Sequence, residues 1–242
     1  GGYIYNDGDP TKFIRNYLLF NPGLKIWFYL TISAIGMFFL LKFLETSKKS
    51  AVFGAIVSAL TPYSFGLINA GHLNKIFAMA YIPWVLLAAL YSIKNRNIKS
   101  ILLLSLATAL QLWVNHPQIA YYTWMVIGFY FFWDISLNFK KKNLIQLSML
   151  KFGSISIGLV IAILMVSDPY ADIYNFQKES SRGAKSVLDQ TKETANGASW
   201  NYATQWSFHP KELISFIYPY HYGLQNTQDF KKGAYWGFMS FT

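Results

Sequence analysis

The sequence predicts an all-α polytopic membrane protein, a bundle of six helical spans, and three observations carry that prediction. The first is composition. Of 242 residues, 53% are hydrophobic and only 13% charged, whereas a soluble domain carries about a quarter charged residues. The second is grouping: the apolar residues fall into six runs, at about 24–44, 51–69, 76–93, 100–114, 118–138 and 147–167. Those lengths lie near the ~20 residues that a helix needs to cross the hydrocarbon core. The third is the alternation of basic and nearly uncharged loops between the runs.

Taken in order, the run 24–44 carries Lys25 and Lys42 near its ends, where long side chains can reach water. "ETSKKS" follows it, "KNRNIK" follows the third run and "FKKKN" the fifth. With Lys42 and Lys151 at helix ends, ten Lys/Arg fall on that side. Before residue 168 only Lys12, Arg15, Lys25 and Lys75 fall on the other, whose loops are "INAGHLNK" and "VNHPQ". The basic loops therefore face the cytoplasm, and the N-terminal segment, the two polar loops and residues 168–242 lie outside it. The run 100–114 is short for a span, which neighbouring helices can shield. Trp27, Tyr63, Tyr81, Trp84, Trp113, Tyr121, Tyr122 and Trp124 gather toward the outer ends, where amphipathic rings favour the interface.

The net charge of +10 does not point to nucleic acid. Residues 168–242 hold seven Lys/Arg and seven Asp/Glu, so the excess lies in the short loops of the bundle. A nucleic-acid groove needs a basic face on a soluble domain. There are no cysteines, which excludes disulfides and thiolate metal sites. The start at Gly1 and the close at "YWGFMSFT" read as a fragment of a longer protein.

Two outer loops carry the candidate site. His72, Asn74 and Lys75 stand at the mouth of the third run, and Asn115, His116 and Gln118 at the mouth of the fifth. Both are polar turns with a histidine and an amide, leading into an aromatic-rich helix. Pro117 suits the first helical turn, where its missing N–H has no partner to lose. Helix starts attract anions through free N–H groups and the macrodipole, and Lys75 adds a full charge. That set suits a phosphate with a lipid tail; helix capping at the headgroup level is the alternative. The two histidines lie far apart in sequence with no further ligand at metal spacing, so no metal is assigned to them and zinc stays a minor alternative.

After Ser167 the composition turns polar. Glu179 and Arg182, three apart, would share a helix face. They read either as an exposed ion pair or as a carboxylate and a guanidinium serving proton and phosphate. "HPKELISFIYPY" predicts a short amphipathic helix at about 210–218, with Leu213, Phe216 and Ile217 on one face. Trp200, Tyr202, Trp206, Tyr235 and Trp236 form a set able to stack on sugars or to fill a core.

The stretches "AGHLNKIFAMAYIPWVLL", "NHPQIAYYTW", "ESSRGAKS", "WSFHPKELISFIYPYHYG" and "YWGFMSFT" resemble the bacterial YfhO family of polytopic membrane proteins, over essentially the whole chain. Members are several times longer. Gly1 and Gly2, followed by Tyr3 and Tyr5, resemble the end of that family's first large outer loop, so residues 1–23 are expected to close an outer loop. The resemblance implies a GT-C-like fold in the bacterial cytoplasmic (inner) membrane. It also implies transfer of a sugar from a polyprenyl-phosphate donor to a cell-envelope polymer or lipid acceptor. In that class an acidic residue of the first outer loop acts as base or binds metal. Most of that loop would precede Gly1, and Asp7 and Asp9 do not map onto the position. No cofactor is therefore expected here, and a divalent metal only in the complete protein.

Position by position, His72, Asn74, Lys75, Asn115, His116, Gln118, Glu179 and Arg182 match the family's polar motifs. In the expected scheme Lys75 and Arg182 hold the donor phosphate, and His72 and His116 position or neutralise it. Asn74, Asn115 and Gln118 contribute to binding. Glu179 is the catalytic candidate, orienting the acceptor or the arginine. The competing classes are a transporter or flippase for an anionic lipid or solute, which needs polar groups near the bilayer midplane, and a non-catalytic envelope scaffold.

Overall fold

In a computed structural model of the chain, residues 16, 20–139, 143–177 and 210–216 are described. All regular structure among them is helical. α1 (Pro22–Phe43) starts where Asn21 accepts from the Gly23 N–H at 2.7 Å, with Pro22 in the first helical position. Ser47 caps α2 (Lys48–Ala59) through the Ser50 N–H at 3.1 Å, and Thr61 caps α3 (Pro62–Asn69) through the Ser64 N–H at 3.3 Å. The second apolar run is thus two helices. Pro62 has no N–H to continue α2, so Thr61 ends one helix and caps the next.

The third run breaks in the same way. α4 (Leu73–Ala80) gives way at Tyr81 to α5 (Ile82–Asn95), two residues before Pro83. α6 (Ile98–Trp113) opens with a reciprocal box between Asn97 and Ser100, at 2.9 and 3.2 Å. α7 (Pro117–Leu137) and α8 (Leu144–Met165) follow, then α9 (Ser167–Gln177). A 3-10 helix, Pro210–Phe216, stands in the interval expected to be an amphipathic helix.

Among the described residues four stretches are long and apolar enough to cross a membrane: Pro22–Phe43, Lys48–Asn69, Leu73–Asn95 and Leu144–Met165. α6 is apolar but has 16 residues. α7 has the length, but its tyrosines, tryptophans and Asp134 dilute its apolar character. The described residues therefore carry an all-helical fold with four helical stretches of membrane-crossing length and composition.

The chain divides into two compact units, residues 1–172 and 173–242. In the first, α5 and α6 form the centre. α5 packs against α1, α4, α6, α7 and α8, and α6 against α4, α5, α7 and α8. Of the most apolar part of Leu73–Asn95, 61% is buried, against 22–28% in the other three stretches. Large apolar side chains such as Phe53, Phe129, Phe132 and Ile145 point outward, while Ala51, Ala78, Ala109 and Ala162 are enclosed. That inversion suits a lipid surround, where outward apolar groups cost nothing and small residues let helices approach closely. Gly36 is one such approach. A Cβ there would stand 2.5 Å from Trp84 Nε1, which instead donates to the Ile32 carbonyl at 2.9 Å.

Candidate functional site at two histidine-bearing helix starts

α4 and α7 begin by the same device. Gly71 and Asn115 have positive φ, 73° and 60°, a region open to glycine and tolerated by asparagine. Each is followed by a histidine at the N-cap, His72 before α4 and His116 before α7. The His72 N–H donates to the Leu67 carbonyl at 2.9 Å, and the Asn115 N–H to the Leu112 carbonyl at 2.8 Å. Asn115 thereby closes α6 through its backbone. Neither histidine side chain caps its helix, whereas Asn21, Ser47, Thr61 and Asn97 all cap theirs. First-turn N–H groups at both starts thus have no side-chain acceptor, which leaves partial positive charge at the helix ends.

The two starts are neighbours. Ile76, Phe77 and Ala78 of α4, Val114 after α6 and Ile119 of α7 share one buried cluster with Tyr29, whose ring stacks on Phe77 at 4.2 Å. His116 is half-buried, and its Nδ1 is enclosed without a hydrogen-bond partner. Burial holds its pKa below the ordinary histidine value. A contact with its own backbone opposes this but falls short of a hydrogen bond, and the charges of Lys75 and His72 lower the pKa further. The charges of Lys75 and His72 thus bear on His116. Lys75 Nζ lies 5.6 Å from the centre of the Tyr63 ring, a cation–π contact.

Other expected site residues stand apart from these three. Asn74 is exposed on the first turn of α4. Gln118 is exposed and donates to the Tyr122 hydroxyl at 2.9 Å within its own helix. Glu179 and Arg182 lie outside the described residues, as do residues 1–15. Among the described residues no three His, Cys, Asp or Glu side chains come together as metal ligands.

Two polar features were not singled out from the sequence. Lys151 does not end a helix; it lies inside α8, 11% exposed, and pairs with Asp134 of α7. The Asn138 amide donates to the same carboxylate at 3.3 Å. Asp134 is the one acidic residue within the six apolar runs, and that was the available signal. The second feature is Gln111, fully buried in α6. Its amide lies in an apolar run, but nothing in the run says what it meets.

The described residues together define a class: an all-helical bundle with helices long and apolar enough to cross a membrane, and a cationic, histidine-bearing mouth where two of its helices begin. Comparison with known proteins finds no matching family model, no matching curated protein and no matching solved structure.

Proposed function

We propose that this chain is part of a membrane glycosyltransferase of the YfhO and GT-C kind, working with six spans in the bacterial cytoplasmic membrane. Its donor is a polyprenyl-phosphate sugar and its acceptor a cell-envelope polymer or lipid, and residues 168–242 lie outside the cytoplasm. The observation that carries the reading is the meeting of two histidine-bearing helix starts, neither capped by its histidine, with Lys75 on the first turn of one of them. A phosphate group supplies what such a mouth lacks: oxygen acceptors for the N–H groups and negative charge for Lys75. In this reading Lys75 and Arg182 bind the phosphate, the two histidines orient it, and Glu179 serves the acceptor side. Stabilising the departing phosphate is then this mouth's contribution to transfer.

The test is expression of the complete protein in membranes with labelled polyprenyl-phosphate sugars. Lys75→Ala and Arg182→Ala should each lower transfer on the order of 100-fold, with the protein still folded. Unchanged transfer in both removes the phosphate roles.

A second reading, transport of an anionic lipid, draws support from one observation. Ser92 Oγ, Thr108 Oγ1 and Gln111 Oε1 are buried along α5 and α6 without partners, and polar groups inside a bundle are what a transport path requires. Translocation of a lipid phosphate across proteoliposomes lacking any acceptor would favour it over sugar transfer.

A further inference from the structure

We infer that Gln111 is a positioning residue that sets the spacing of the two histidine-bearing helix starts. The inference deepens the phosphate-site reading and rests on it for the meaning of that spacing.

Gln111 lies in α6, outside the site, and is fully buried. Its Nε2 donates to the Ala78 carbonyl of α4 at 3.2 Å and to the Thr123 hydroxyl of α7 at 3.0 Å. The Thr123 proton is already committed to the Ile119 carbonyl at 2.9 Å, so Thr123 must accept. Ala78 offers only a carbonyl. Both partners therefore require the amide NH2 to face them, which fixes the orientation of the side chain. The Ala78 carbonyl is accessible because the helix breaks just beyond it, where the Tyr81 N–H reaches it at a long 3.3 Å.

The two ties sit at matching depths. Ala78 is six residues past His72 and Thr123 seven past His116, about 9 to 11 Å along each helix. One side chain thus holds both helices about two turns below their histidines. Stability alone does not account for it. Gln111 Oε1 is buried with no protein partner, and an unpartnered buried acceptor carries a cost that an apolar side chain of similar size would avoid. Its distinctive effect is register: it forbids α4 and α7 from sliding past each other, and so keeps Lys75 and His72 beside His116.

The absence of cysteines permits a direct measurement. Spin labels at positions 74 and 121, both exposed, would report the α4–α7 distance by pulsed electron paramagnetic resonance on the full chain in lipid nanodiscs. A pair at 39 and 57, on α1 and α2, is the control. In Gln111→Leu the 74–121 distribution should broaden or shift by up to about one helical turn, ~5 Å, while the 39–57 distribution stays fixed. An unchanged 74–121 distribution in folded Gln111→Leu overturns the inference. If Gln111→Leu does not fold, Thr123→Val, which removes one tie, carries the test: a broadened 74–121 distance supports the inference and an unchanged one overturns it. No sugar donor is involved. A changed spacing in a protein that transfers no sugar would count against the transferase reading alone.

Discussion

Two sets of polar groups in the bundle are treated in opposite ways. In the first set, beside the basic loops, side chains find partners within the fold. Ser47 caps α2, Asn97 and Ser100 cap each other across the start of α6, and Asp134 pairs with Lys151. In the second set, at the histidines, two helix starts carry residues that do not cap, and His116 Nδ1 is enclosed without a partner. Groups satisfied internally contribute to stability and have little left to offer a ligand. Groups left wanting are the ones a ligand can complete. The comparison assigns structure to the first set and recognition to the second.

The largest expected effect lies in the first set. Asp134→Ala strips Lys151 of its counter-charge in a mostly buried setting and should cost about 3 kcal/mol in reversible unfolding from detergent. Replacing both partners, Asp134→Leu with Lys151→Met, should recover most of that loss. If the single variant is as stable as the parent, the pair is not holding α7 to α8.

A smaller effect sharpens the same contrast. Ser47→Ala or Asn97→Ala removes a helix cap and should cost about 1 kcal/mol. His72→Ala removes no cap and should stay within about 0.5 kcal/mol. Equal losses at the capped starts and at His72 would erase the distinction between them.

The smallest effect is electrostatic. The His116 pKa is depressed first by burial, then by Lys75 and His72, so near and below the ordinary value of ~6.5 the unfolded chain binds the extra proton more readily. Stability contributed by the neutral ring is present above that value and lost as pH falls through the folded pKa. Unfolding measured between neutral and mildly acidic pH should show this decline. His116→Asn should flatten it, and Lys75→Met should move the His116 pKa back toward its ordinary value. A decline identical in all three proteins would detach His116 from the pH response.

Much of this is legible in the sequence. Apolar runs near the expected places, prolines at helix starts and histidines at the mouths of two runs are local features, and local chemistry expresses them. The breaks at Thr61 and Tyr81 were less visible. Pro62 and Pro83 sit inside runs whose hydropathy is continuous, and hydropathy does not register a missing N–H. Asn115 reads as a binding residue because it is polar and stands in the loop at the mouth of a run. Its left-handed backbone, which ends α6, is a conformational role that residue type only permits. Lys151 was counted with the basic loops, since its distance along the chain from "FKKKN" is short and its partner lies on another helix.

What the sequence determined by itself is therefore the helical class, the membrane-matched composition and the presence of two similar polar turns. These follow from side-chain transfer energies and backbone capping, which act over a few residues. What only the tertiary structure decided is which polar groups find each other: Gln111 with Ala78 and Thr123, Asp134 with Lys151, and His116 with Lys75 and His72. Those pairings depend on how helices pack side by side, a geometry set jointly by the small residues and close contacts of every helix rather than by any one segment.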